Sequence, residues 1–261
     1  MKMKIICNTI KKYFSKPVMK KLIDKDLQSM LLPINLMQNI LLSPQYRIKD
    51  NLIKTNTLTA ILVSFCGVMI SIFAFLLRIC LTSEAIKQYY SSLYIVSKIE
   101  LVLYSTGFII NYISVLRSNK NVLFILKVQD IHRFVNDGIY LKRLIVCNWI
   151  SVILIFSFDF TIIIYAWVKL ELRFYNLICG VSVICFDINF IYAIIFLKLL
   201  RNQAELWNIR LKNFSGQSNG ESVCRSMFEA YDNILKCYEM YKDYFQQNVC
   251  NFNHQRVIFV Y

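Results

Sequence analysis

Four ionisable side chains, Lys98, Glu100, Asp159 and Asp187, stand inside stretches that are otherwise strongly apolar. Placing such a group in a bilayer costs about 2.5–3.5 kcal/mol, so it persists where it pairs, hydrogen-bonds or faces a polar cavity. Helical spacing puts Ser97, Glu100, Tyr104 and Asn111 on one face, with Lys98 about 100° round from Ser97. Two readings fit this pattern. In the first, Glu100, Tyr104, Asp159 and Tyr165 hydrogen-bond a small molecule in a cavity open to the outer side, Trp167 packs on it, and Asp187 reaches it from mid-membrane. In the second, Lys98 pairs with Glu100 or Asp159, Asp187 and Asn189 form a clamp, and Ser, Asn and Tyr side chains tie helices together.

Catalytic and metal chemistry find no support. The nine cysteines contain no CxxC pair, and the two histidines, His132 and His254, are far apart. No HExxH, no serine nucleophile beside a base and no glycine-rich phosphate loop is present. The expectation is therefore a protein that is not an enzyme and has no metal and no cofactor.

These residues need long helices to hold them. With 57% hydrophobic residues, a mean hydropathy of +0.47, six Gly and three Pro in 261 residues, the chain reads as an all-α, multipass membrane helix bundle. Four spans are expected. The first is Thr55 to Leu77, free of charge between Lys54 and Arg78; the others are Ser91 to Leu116, Leu144 to Val168 and Tyr175 to Leu197, with a tight turn from Lys169 to Phe174. Eleven basic against three acidic residues precede the first span, and six against two lie between Arg117 and Arg143. The positive-inside tendency then puts the N-terminus and both flanks in the cytoplasm. The net charge of +14 gathers at these flanks, which topology and anionic lipid explain without nucleic acid.

Residues 1–54 read as a cytoplasmic arm, residues 55–197 as the four-helix region, 198–256 as a cytoplasmic helical extension, and 257–261 as the opening of a fifth span cut short. Within the arm, apolar residues at Leu27, Met30, Leu31, Ile34, Met37 and Leu41 give an amphipathic helix bracketed by Pro33 and Pro44, interfacial or packed on protein. After the break SGQSNGES, the residues Met227, Tyr231, Ile234, Tyr238, Tyr241 and Phe245 recur at three- and four-residue steps, which asks for a helical partner. Cys80 and Cys179 fall at outer span ends, as free thiols or as a disulfide. The sequon at Asn213 falls on the cytoplasmic side and is expected to be unused.

Two stretches, MLLPINLMQNILLSPQYRIKDN over 30–51 and FEAYDNILKCYEMYKDYF over 228–245, together with the order of elements between them, resemble the insect gustatory receptor family, most of all its moth and butterfly branch. That resemblance implies a seven-helix taste receptor of which four transmembrane helices are present here, and a ligand-gated cation channel in the plasma membrane of a sensory neuron. It implies a non-volatile tastant, a bitter compound or a sugar, as the small-molecule partner. It also implies a homo- or hetero-tetramer whose interface is built by the cytoplasmic extension, and a pore lined by a seventh helix that bears a Thr-Tyr and a Gln-Phe pair. An odorant receptor of the same superfamily shares this architecture. A multipass transporter is the other alternative, although no span contains Pro and no internal repeat is visible.

Overall fold

The computed structural model of the chain describes residues 20–81, 91–135, 138–169, 171–214 and 224–242. Among these, the helices are α1 (Lys25–Ile40), α2 (Leu58–Cys80), α3 (Ser91–Leu116), α4 (Ser118–Val135), α5 (Gly138–Lys169), α6 (Phe174–Phe214) and α7 (224–242). Three short strands, β1 (Lys20–Leu22), β2 (Arg47–Lys49) and β3 (Leu52–Lys54), form an antiparallel sheet in the order β1-β3-β2. The expected 257–261 segment and Phe245 lie outside the described residues.

Four helices, within α2, α3, α5 and α6, are long and apolar enough to cross a membrane. The second expected span coincides with α3. The fourth runs on without interruption into the charged stretch after Lys198, so α6 is a single rod of 41 residues, about 60 Å long. α2 packs on α3 and α6, and α6 packs on α5. Large apolar side chains are exposed on the outside of these helices, including Phe73, Val102, Leu154 and Phe158 at 60–66%.

The first helix departs from expectation at Pro33, which lies inside α1 rather than at its edge. A proline there removes one backbone hydrogen bond and loosens the preceding turn. The carbonyl that loses its helical donor is that of Ser29; the next one, of Met30, accepts a hydrogen bond from Asn148 Nδ2 of α5, which ties this turn to a neighbour. Leu27, Met30, Leu31 and Ile34 are fully buried against α5 and α6, so the greasy face packs on protein. A second stripe, Leu32, Leu36 and Ile40, remains exposed.

After α1 the chain turns back inside the bundle. Leu42 adopts a left-handed φ of 56°, and the Ser43 N–H bonds the Gln38 carbonyl at 2.8 Å. Leu42 then lies against Gly67, where an added Cβ would come within 3.2 Å of it. Gly67 is nine residues into α2, about 13 Å along its axis. Residues 43–46 are buried, as irregular backbone at that depth must be if lipid surrounds the bundle. The chain emerges through β2, and Asp50 and Asn51, both at positive φ, make the two-residue turn into β3. Thr57 caps α2 by accepting from the Ala60 N–H at 3.4 Å.

α4 occupies what the charges alone presented as a flank. Only Arg117 separates it from α3, and its buried Val122, Ile125 and Val128 join the core of α1 and α6.

Candidate ligand cavity

A cavity of about 410 Å³ lies where α2, α3, α5 and α6 meet the end of α1, a size suited to a small organic molecule. Its floor is the returning segment Leu41 to Ser43. Phe156 and Phe160 close the α5 side, stacked 5.7 Å apart at 11°. The polar atoms are few. Ser64, Ser71 and Ser182 donate to carbonyls four residues back in their own helices, those of Ala60, Gly67 and Ile178. The Ser71 and Ser182 oxygens also lie 2.8 Å apart across α2 and α6. Each hydroxyl has one proton and two lone pairs, so what remains free on the wall is mainly acceptor. The cavity therefore suits an apolar body carrying one hydroxyl or amine, and suits a polyhydroxylated molecule poorly.

Beneath it runs a buried polar seam. Gln38 Nε2 donates to Asn189 Oδ1 at 3.2 Å, Asn189 Nδ2 to Asn111 Oδ1 at 3.0 Å, and Gln45 Nε2 to the same Asn111 oxygen at 3.3 Å. Asn111 Nδ2 lies 2.8 Å from Cys185 Sγ, and Ser43 lies 3.1 Å from the same sulfur. Asn121 of α4 donates to Gln45 Oε1 at 2.9 Å. These amides hold the returning segment among α3, α4 and α6.

None of the six residues expected to bind a ligand lines this cavity, although Glu100, Tyr104 and Asp187 come close enough to one another for Tyr104 to feel both carboxylates. Glu100 is buried and pairs with Arg78 at 3.4 Å, the partner that the apolar run of α2 ends on. Lys98 instead stands with its Nζ 4.4 Å from the Tyr94 ring. Tyr104 is buried in an aromatic cluster, 5.0 Å from Phe75 and 6.0 Å from Phe186. Asp159 is half-buried, with Oδ2 lacking a hydrogen-bond partner, and Asp187 is half-buried on α6. Tyr165 is 64% exposed. The shared face of Glu100, Tyr104 and Asn111 is buried as a unit, yet only Asn111 reaches the cavity. The serines were visible in the sequence as a seven-residue repeat, Ser64 to Ser71, on one face of the first span.

Cys80 and Cys179 are both free thiols. In α7 the expected stripe divides: Met227 is buried and Ile234 and Tyr241 are half-buried, while Tyr231 and Tyr238 are about half exposed. Trp207 Nε1 donates to the Met227 carbonyl at 3.0 Å, and Lys127 Nζ to Asn233 Oδ1 at 3.1 Å, which fixes α7 against α6 and α4. Burial pushes the Cys237 thiol up to about 12. At the far end of this half, Arg133 holds the Asp24 carboxylate with two bonds of 2.6 and 2.8 Å and keeps it below the usual carboxylate range. No family model, curated protein or solved structure matches the chain.

Proposed function

We propose that this chain is a membrane chemoreceptor subunit of the insect gustatory receptor type, contributing to a ligand-gated cation channel in the plasma membrane, with its N-terminus in the cytoplasm. The observation that carries the reading is the half-open, mostly apolar cavity at the meeting of all four candidate spans, floored by a segment that returns through the bundle. A molecule lodged there touches every span at once, and so is placed to bias their packing. The resembling stretches over 30–51 and 228–245 supply the family and the channel. The acceptor-rich wall favours an apolar, bitter-type compound with a single hydroxyl or amine over a sugar. Glu100 with Arg78, and α7 with its exposed side chains, belong in this reading to helix alignment and subunit contact.

The test is binding, read on the full chain in detergent as a rise in melting temperature, because the resemblance puts the pore on a seventh helix. A panel of apolar alcohols, phenols and amines is compared with simple sugars. The expected result is stabilisation by members of the apolar set that is lost in Ser71→Leu, which fills the cavity. A panel with no stabilising member, or stabilisation that survives Ser71→Leu unchanged, refutes the cavity as the ligand site. Reaction of an impermeant amine reagent with the N-terminus on intact cells refutes the orientation.

A further inference from the structure

The small sheet carries a charge arrangement that its own stability does not explain. Its register sets Arg47 opposite Lys54, and Lys54 opposite Lys20, so three basic positions form one row across three strands. Like charges directly opposite in a sheet are destabilising, because their Cβ atoms stand about 4.5–5.5 Å apart. Lys49 lies two residues along from Arg47 and on the same face. Ile48 and Ile53 pair on the other face, which packs into the core, so the basic face is turned away from the protein. Arg47 and Lys49 are exposed and Lys54 is half-buried. Among the described residues none of these three forms an ion pair. Asp50, the one acid on the hairpin, occupies the turn at its tip.

The position of the row is as informative as its charge. Arg47 Nη1 donates to Thr57 Oγ1, the capping atom of α2, at 3.3 Å. The guanidinium therefore sits within a turn of Leu58, an apolar residue half exposed at the start of the first candidate span. The α3–α4 break abuts the same junction, since the Asn56 N–H bonds Ser118 Oγ at 3.2 Å. That break brings exposed Arg117 and Lys120. Leu22, 65% exposed, stands opposite Leu52 in the sheet. Cations beside exposed leucine, at the level where an apolar surface begins, match the boundary between lipid headgroups and acyl chains.

We propose that the outward face of this sheet, through Arg47, Lys49 and Lys54, binds the phosphorylated headgroup of an anionic inner-leaflet lipid, of the phosphoinositide class. Phosphate oxygens take the fork of a guanidinium and the point charges of lysines together. A headgroup bearing several phosphates relieves the row in a way that a single carboxylate does not. The inference rests on the bilayer reading above, though not on the channel or its ligand.

The experiment uses the full chain in detergent micelles and measures binding of a short-chain phosphatidylinositol bisphosphate. The comparison is with the Arg47→Gln, Lys49→Gln, Lys54→Gln triple variant and with a control that removes three distant cations, Arg225, Lys236 and Lys242. The triple variant is expected to bind at least tenfold more weakly and the control to match the wild type. Raising salt from 50 to 200 mM is expected to weaken wild-type binding and barely affect the triple variant. Because the row is self-repelling, the triple variant is expected to melt at or above the wild-type temperature; should it fail to fold, Lys49→Gln alone, at an exposed position, carries the test with a severalfold loss. Equal affinity of wild type and triple variant, an equal loss in the control, or phosphatidylserine binding as tightly as the bisphosphate overturns the proposal. Free inositol trisphosphate binding as tightly as the lipid overturns the membrane source. Stabilisation by the apolar panel reads the cavity independently, so either proposal can fail while the other stands.

Discussion

Asn111 joins three segments of the chain, and Asn111→Leu removes their junction while keeping the number of side-chain heavy atoms the same. Its Oδ1 accepts from Gln45 at 3.3 Å and from Asn189 at 3.0 Å, and its Nδ2 donates to the Cys185 sulfur at 2.8 Å. Leucine leaves two buried amide donors without that acceptor. An orphaned buried donor costs about 1–3 kcal/mol in general, and an interhelical hydrogen bond between membrane helices averages about 0.6. Gln45 keeps its bond from Asn121, and Asn189 keeps its bond from Gln38, so relaxation is limited and a loss of about 2–4 kcal/mol follows. For a chain of this size that is a fall of about 4–8 °C in Tm. A fluorogenic maleimide melt in detergent reads it once exposed Cys66, Cys80, Cys147 and Cys224 are replaced by serine, since Cys185 is buried beside the substituted position and labels as the seam opens. Gln38→Leu is the comparison: Gln38 Oε1 has no partner in the folded chain, so removing that amide deletes a cost along with a bond and lowers Tm less. A melt of Asn111→Leu within 1 °C of wild type, or below that of neither wild type nor Gln38→Leu, refutes the role of the seam.

Three further outcomes follow from named contacts. Gly107→Ala puts a Cβ within 2.7 Å of the Phe186 ring, which Phe108 and Tyr104 hold at 5.0 and 6.0 Å; a loss of about 1–3 kcal/mol, read in the same melt, is expected to exceed that of Gly180→Ala, whose nearest atom is an Ile163 branch at 3.0 Å. The Asp24 carboxylate is held below its ordinary value of 3.8 by Arg133, so its contribution is complete above that pH and disappears as pH falls through the folded value. The wild-type advantage over Asp24→Asn is thus expected to be constant from pH 5 to 8 and to shrink in acid, and, because the pair is partly exposed, to stay under about 1 kcal/mol. Exposed Cys224 is expected to react with maleimide in the native chain, whereas buried Cys237, its thiol raised to about 12, labels only on unfolding; mass spectrometry of the labelled peptides distinguishes the two, and native labelling of Cys237 contradicts the packing of α7.

The long helices were legible because their signal is summed over twenty or more residues. An uncharged run such as 55–77, bounded by Lys54 and Arg78, leaves no competing local structure, and the bounds of α3 emerged from the same logic. Short elements were not legible. Three strands of three residues each carry too little periodicity to register, and Pro33 reads locally as a boundary although the helix continues through it to Ile40, with Leu27, Met30, Leu31 and Ile34 buried on the rest of the bundle. The candidate site was legible only in kind. Charges inside spans drew attention to Glu100, but its partner is Arg78, counted from sequence as a flank; whether a residue at the end of one helix reaches a residue within another depends on rotations that no single helix encodes. Serines and amides, cheaper to bury than charges, turned out to build the cavity and its floor.

α7 shows the limit of periodicity most plainly. Over 224–242 there are two stripes at three- and four-residue steps, one through Met227, Ala230, Ile234, Cys237 and Tyr241, the other through Phe228, Tyr231, Leu235 and Tyr238, offset by a single residue. Either could seat a partner helix, and a reading from spacing alone mixes them, taking Tyr231 and Tyr238 from one and Met227, Ile234 and Tyr241 from the other. What separates them is the chain itself. The first stripe enters the core, with Cys237 fully buried, while Trp207 donates to the Met227 carbonyl and packs its ring 5.1 Å from Tyr231, and Lys127 reaches Asn233 between the stripes. The second stripe then faces out because the first is taken, with Phe228 at 71% exposure and Leu235 at 44%. A heptad establishes that a helix has a greasy seam, but the choice of neighbour is made by long-range contacts, here the packing of Ile234, Cys237 and Tyr241 into the core.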